Sequence, residues 1–124
     1  MQDNCVFCKI INKEFSCYKI YEDDIVLSFL SIDPVKYGHT LIIPKKHVLG
    51  YEEIDLETLN HINKIGKEIY EKIKTNLKPS GIKIVQNNGS LQEVKHYHMH
   101  IIPVYETEKE DKKNFEKILE EILK

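Results

Sequence analysis

An α+β domain with a five-stranded sheet is the fold class this sequence predicts, and three observations carry it. Five short segments of strand character punctuate the first 105 residues, and two adjacent ones are joined tightly enough to pair antiparallel. One long stretch repeats its apolar side chains every three or four positions, as a helix covering one face of a small sheet does. A second amphipathic stretch runs to the C-terminus. The 124 residues make one domain of ordinary size, and 41% hydrophobic with 31% charged residues is a globular balance.

Cys5-Val6-Phe7-Cys8 opens the chain and is compatible with a helical turn or a strand. Tyr18–Glu22 reads as the first strand, Asp23-Asp24 as a tight turn and Ile25–Leu30 as the hairpin partner. Pro34 breaks the ladder, since proline has no amide to give it. Thr40–Pro44 is the third strand, and its continuous apolar run predicts an interior strand covered on both faces. Asp55 is the expected N-cap of the long helix, with Leu56, Leu59, Ile62, Ile65, Ile69 and Ile73 as its apolar stripe and Pro79 beyond its end. His61 is expected on the side or solvent face of that helix. Gly81–Gln86 is the fourth strand, and Asn87–Ser90 a loop in which Gly89 is free to take positive φ. The fifth strand runs through the next histidines and stops near Pro103. Phe115, Ile118, Leu119, Ile122 and Leu123 then mark a final helix, capped by Thr107 or Asp111. Its apolar face must cover its own sheet, a partner chain or a ligand entrance. From Glu106 onward seven acidic and five basic residues hold the entire net charge of −2.

Charge and motifs narrow the chemistry. A chain this close to neutral has no polybasic surface, so long nucleic acid is not an expected partner. There is no leader with an apolar segment and no run able to cross a bilayer, which predicts a cytoplasmic protein without a membrane partner. In that compartment the Cys5-x-x-Cys8 pair reads as a metal site or a redox pair, and Cys17 as packing.

The densest signal is the run His96-Tyr97-His98-Met99-His100-Ile101-Ile102. Alternation at period two places the three imidazoles on one face and Tyr97, Met99 and Ile101 on the other. If the run is a strand, His96 and His100 lie roughly 13 Å apart along the backbone. One tetrahedral ion would then take two neighbouring histidines rather than three, so different roles are expected of them. Neutral imidazole near pH 7 serves as a base, a ligand or a nucleophile. No Asp or Glu accompanies the histidine face, Gly-x-Ser-x-Gly is missing, and so are a phosphate-binding glycine loop and a dinucleotide fingerprint. What remains is a histidine that attacks phosphorus directly, with its neighbours holding its tautomer and protonating the leaving group.

The chain resembles the histidine triad (HIT) family of nucleotide-binding proteins over nearly its whole length. The likeness rests on the histidine run, on Cys5-x-x-Cys8-Lys9-Ile10-Ile11, on Tyr21-Glu22-Asp23-Asp24, on Gly38–His47 and on Gln92 four residues before His96. The resemblance implies a five-stranded antiparallel sheet with a helix against it, joined across a homodimer. Residues 1–105 would be the catalytic domain, and residues 106–124 a helix belonging to it. It implies hydrolysis of purine nucleoside phosphoramidates or related adenylates, with His98 as nucleophile, His100 orienting it and contacting phosphate, and His96 completing the catalytic triad. Dinucleoside polyphosphate hydrolysis and nucleotide binding with little turnover are the alternatives, and a zinc-dependent hydrolase is a third. By the same resemblance Phe7, Ile10, Phe29 and Ile32 form the purine and ribose pocket, while Asn87 and Gln92 bind phosphate. Some bacterial members bind zinc with residues matching Cys5, Cys8, His47 and His96. Such a full ligand set makes the zinc structural, with no cofactor needed for the chemical step.

Three departures from the family pattern stand out. Ser31 occupies the place of a ribose-binding Asp. The stretch between Gly89 and Gln92 is two residues shorter than usual. Glu93 replaces a small residue that helps the leaving group.

Overall fold

The computed structural model describes residues 4–124. Helix α1 (Val6–Ile11) leads into β1 (Lys19–Glu22), β2 (Val26–Leu30) and β3 (Thr40–Pro44). The long helix α2 (Leu56–Leu77), β4 (Gly81–Gln86), β5 (Met99–Val104) and α3 (Phe115–Ile122) follow. All neighbouring strands pair antiparallel in the order β1-β2-β3-β5-β4, so the α+β expectation holds. Cys5–Ile11 resolves as a helix, because the Cys5 side chain caps it by accepting the Cys8 N–H at 3.4 Å. Among the described residues no helix is long and apolar enough to cross a membrane.

Period-two alternation divides the sheet residues between two apolar layers. Val26, Leu30, Ile42, Met99 and Ile101 face α2 and meet Ile62, Ile65, Ile69 and Ile73. Leu27, Phe29, Leu41 and Ile43 face the other way and meet α1 through Cys5, Phe7 and Cys8. β3 is buried at all five positions, as its unbroken apolar run predicts. Asp55 caps α2 by accepting the Thr58 N–H at 3.0 Å, and Lys78 in the left-handed region ends it just before Pro79.

Two boundaries differ from expectation. β5 begins at Met99, so His98, and His96 at the end of a bend with its N–H on the Val94 carbonyl at 2.9 Å, lie on the lead-in rather than in the strand. Both ladders of β5 start at Met99, opposite Ile42 and Gln86, whereas the Tyr97 N–H reaches the Val48 carbonyl at 2.8 Å. The strand ends at Val104, near Pro103 as expected, and tolerates the proline because pairing with β3 ends at Ile101 and leaves that side of Pro103 a local edge. At the C-terminus α3 starts after Asn114, not at Thr107 or Asp111. Asp111 sits in a turn at φ 60, and the helix begins where Phe115 stacks on Tyr18, ring centroids 5.0 Å apart. Ile118 and Ile122 are fully buried against α2 and β1, and Asn76 of α2 donates to the Ile122 carbonyl at 2.8 Å. The apolar face of α3 therefore covers its own core.

His61 does more than face solvent. Its Nε2–H donates to Asp23 Oδ2 at 2.6 Å, and Asp23 also accepts from the Tyr21 hydroxyl and the Ile25 and Val26 amides. Burial raises the Asp23 pKa, but hydrogen bonds from His61, Val26, Ile25 and Tyr21 prevail and hold it well below the usual range. This knot ties α2 to the β1–β2 turn. Replacing Asp23 by Ala strands two amides and should cost about 2–4 kcal/mol in urea unfolding. A loss below about 0.5 kcal/mol, the scale of an ordinary surface change, would show the knot to be ornamental.

Candidate active site

A cavity of about 800 Å³ opens on the sheet face opposite α2. It is lined by apolar side chains that include Phe7, Ile10, Phe29, Leu41 and Ile32, and by polar ones that include Ser31, Asn87, His39, His98 and His100. Every residue expected in the purine and ribose pocket lines it, together with Ser31 and Asn87. Gln92 does not. It is buried beside the cavity, its Nε2 donating to the Leu49 carbonyl at 2.7 Å, and its Oε1 has no partner among the described residues. His96 also stands outside the cavity, fully buried beside the two cysteines.

The hydrogen bonds fix which nitrogens carry protons. His98 Nδ1 lies 2.7 Å from the His96 carbonyl. A carbonyl only accepts, so Nδ1 is the protonated nitrogen and Nε2 keeps its lone pair. The Phe7 ring packs edge-on against the imidazole at 5.1 Å and helps hold it.

A second chain of bonds begins at the Val35 N–H, which donates to His39 Nδ1 at 3.1 Å. His39 therefore carries its proton on Nε2, 2.9 Å from His100 Nδ1. His100 then presents a protonated Nε2 on a ring that lines the cavity. One neutral imidazole with a lone pair thus stands 4.8 Å, ring to ring, from another offering an N–H. That pairing suits attack on an anionic phosphorus centre while a donor holds one of its oxygens.

His39 was missed as a site residue when the sequence was read alone. The signal was present, because His39, one residue before β3, continues the alternation of Leu41 and Ile43, and His39 and Leu41 both line the cavity. Gly38 before it has φ 90, and a Cβ there would lie 2.5 Å from Leu77 Cδ1. Glycine at this position lets the chain turn His39 onto the strand.

Burial keeps these rings neutral. It lowers the His39 pKa to about 4, helped by the charges of His100 and His98, and lowers His100 to about 4, helped by His98. Burial also lowers His98, against the opposing pull of the His96 carbonyl and the Glu93 carboxylate. Unfolded histidine titrates near 6.5, so the unfolded chain takes up more protons between pH 6.5 and 4. The stability from neutral His39 and His100 is complete above about pH 6.5 and is lost as pH falls toward 4. We expect Tm to drop by about 5–10 °C from pH 7 to pH 5, and His39→Gln to flatten that slope. Parallel slopes for the two proteins would contradict this assignment.

Beside the cavity Cys5, Cys8, His47 and His96 place their ligand atoms within 4.8 Å of one another. Cys5 Sγ lies 3.4 Å and Cys8 Sγ 3.7 Å from His96 Nδ1, and Cys8 Sγ lies 3.3 Å from His47 Nδ1. Sulfur and nitrogen bound tetrahedrally to one zinc ion would be separated by about 3.6 Å, so the set has room for such an ion. The His96 Nε2–H donates to the Pro44 carbonyl at 2.8 Å, which turns the Nδ1 lone pair toward the sulfurs. A second bond that orients a ligating ring in this way is typical of metal sites. The four residues form a candidate metal site, and together they join α1, the end of β3 and the lead-in to β5.

Comparison with known proteins agrees with this geometry. The sequence profile of the HIT domain matches residues 12–107. A HIT-like protein of Methanocaldococcus jannaschii is 44% identical over 97% of this chain and 96% of its own. The adenosine 5'-monophosphoramidase of Schizosaccharomyces pombe is 37% identical over 81% of this chain and 74% of its own. A HIT-like protein from Bartonella henselae superposes with a TM-score of 0.89 at 35% identity, covering 98% of this chain and 96% of the other. The zinc-bound histidine triad family protein of Mycobacterium smegmatis superposes at 0.84 with 30% identity, covering 97% and 93%. With the profile spanning residues 12–107 and His98 and His100 of the histidine run lining the cavity, this chain belongs to the histidine triad (HIT) family.

Proposed function

We propose that this protein hydrolyses purine nucleoside phosphoramidates or related adenylates through a covalent nucleotidyl-histidine on His98. The observation that carries the reading is the bond from His98 Nδ1 to the His96 carbonyl, which leaves Nε2 unprotonated on a ring lining the cavity. The purine and ribose would lie against Phe7, Ile10, Phe29 and Ile32, with Ser31 at the ribose and Asn87 near the phosphate. His98 Nε2 attacks the α-phosphorus as the bond to the leaving group breaks. The leaving amine departs with the bonding pair and takes a proton from water at the open mouth. The His100 N–H, backed by His39, steadies the charge on the phosphoryl oxygens. Water then attacks phosphorus, Nε2 recovers its electron pair, and a proton returns to solvent. Gln92 would have to leave the Leu49 carbonyl to reach phosphate, so it takes no part in this scheme. The activity named for the fission-yeast relative is in keeping with this class of substrate.

Zinc is the metal we assign to Cys5, Cys8, His47 and His96. With four protein ligands it would supply a cross-link and leave no position for water. A homodimer, with sheets joined at edge strand β4 where Ile84 is half exposed, completes the reading.

A nucleotide-binding role with little turnover is the second reading, favoured by Ser31, whose hydroxyl accepts the Asp33 N–H at 3.3 Å in place of an acidic ribose ligand. The stereochemical course at a chiral thiophosphoryl substrate tests the proposal. Two successive displacements give net retention. Inversion would mean direct attack by water, and binding without turnover would favour the second reading.

A further inference from the structure

Two concavities share one wall. The cavity holding His98 and a second, more polar groove of about 670 Å³ share a wall made by Val6, Glu93 and Val94. The groove continues past Leu49, Glu53 and Lys95 along the outer side of the metal site. With the nucleoside against the apolar lining of the main cavity and phosphorus at His98, the groove past Glu93, whose charge acts on His98, is the route we assign to the leaving group.

The charges along that route are unusual for a site that handles phosphate. Glu14, Asp33 and Glu93 line the main cavity, and among the described residues no Lys or Arg does. In the groove Lys95 is committed to the Gly89 carbonyl at 2.7 Å, and Glu53 accepts the Leu49 N–H at 2.7 Å. Glu93 is exposed and makes neither an ion pair nor a hydrogen bond with any described residue. An unpaired carboxylate at the only wall common to both concavities repels an anionic leaving group and attracts a cationic one.

Building on the nucleotidyl-transfer reading, we infer that Glu93 selects the leaving group, favouring an amine that carries a second positive charge away from the scissile P–N bond. Diamines and basic amino-acid side chains are the chemical class. Nucleoside polyphosphates, which leave as multiple anions, are the class it disfavours. The bonds made and broken are those of the His98 reaction. Glu93 changes which leaving group is held, and no proton or electron pair passes through it.

The test uses the full chain and two adenosine 5'-phosphoramidates, one of 1,4-diaminobutane and one of n-pentylamine. The ratio of their kcat/KM values is measured for wild type, Glu93→Gln and Glu93→Lys at low and high salt. Taking the ratio within each protein removes any loss of overall rate. We expect wild type to prefer the diamine by about 5–10-fold at low salt, with the preference shrinking as salt screens the exposed charge. Glu93→Gln should bring the ratio near one, and Glu93→Lys should reverse it. The same ratio in all three proteins overturns the role of Glu93 and leaves the hydrolase reading standing. Failure of wild type to turn over either compound overturns both.

Discussion

Replacing His98 by Ala should lower kcat for an adenosine phosphoramidate by about 10⁴-fold while Tm moves by only a few degrees. The asymmetry follows from the surroundings of the ring. His98 contributes one hydrogen bond to a backbone carbonyl and edge-on contacts with Phe7 and His100 on the wall of a cavity, so its stabilising role is small. Its Nε2, by contrast, is the only lone pair the hydrogen-bond pattern assigns to the His39, His98 and His100 cluster on the cavity side. His100→Ala should cost less, about 10²–10³-fold, because it removes a donor to the phosphoryl oxygens and leaves the nucleophile. Equal losses for the two variants would contradict the separate roles given to these rings. Steady-state kinetics with far-ultraviolet circular dichroism on each variant decides the matter.

Removing the zinc proposed for Cys5, Cys8, His47 and His96 should damage the fold before the chemistry. Cys5, Cys8, His47 and His96 bring together an N-terminal helix, the segment after β3 and the lead-in to β5. Without the ion Cys5, Cys8 and His96 remain buried. Burial pushes the Cys5 thiol pKa up and lowers His96 to about 4, so neither compensates by ionising. We expect one zinc per chain by elemental analysis, and a fall in Tm of more than about 10 °C on chelation or in Cys8→Ala. Turnover should decline only in step with the unfolded fraction. Turnover abolished by chelator, at a temperature where circular dichroism is unchanged, would mean that the metal takes part in catalysis.

Much of this arrangement was legible in the sequence because extended chain alternates faces whether or not it is paired. Tyr97, Met99 and Ile101 do reach the α2 side, and His98 and His100 the cavity. The same fact hid the start of β5. Period two marks extension, but a strand begins where neighbours offer amides and carbonyls, and those belong to Ile42 and Gln86 far along the chain. Asp55 and Pro79 bracketed α2 correctly because caps and breakers act locally. The bond from His61 to Asp23 spans 38 residues and leaves no local trace. His39 lay between these cases, since its face could be read from β3, whereas its partnership with His100 needed β3 and β5 to be neighbours. Gln92 shows the opposite limit, because a motif position says nothing about which way a carboxamide turns once Leu49 offers it a carbonyl.

The most direct test of covalent chemistry at His98 is intact-protein mass spectrometry on wild type and His98→Ala, quenched without acid during turnover of an adenosine phosphoramidate. A transient mass increase of one adenylyl group on wild type alone, mapped to His98, is the predicted result. No adduct on wild type, with both proteins hydrolysing the substrate at the same rate, would contradict it.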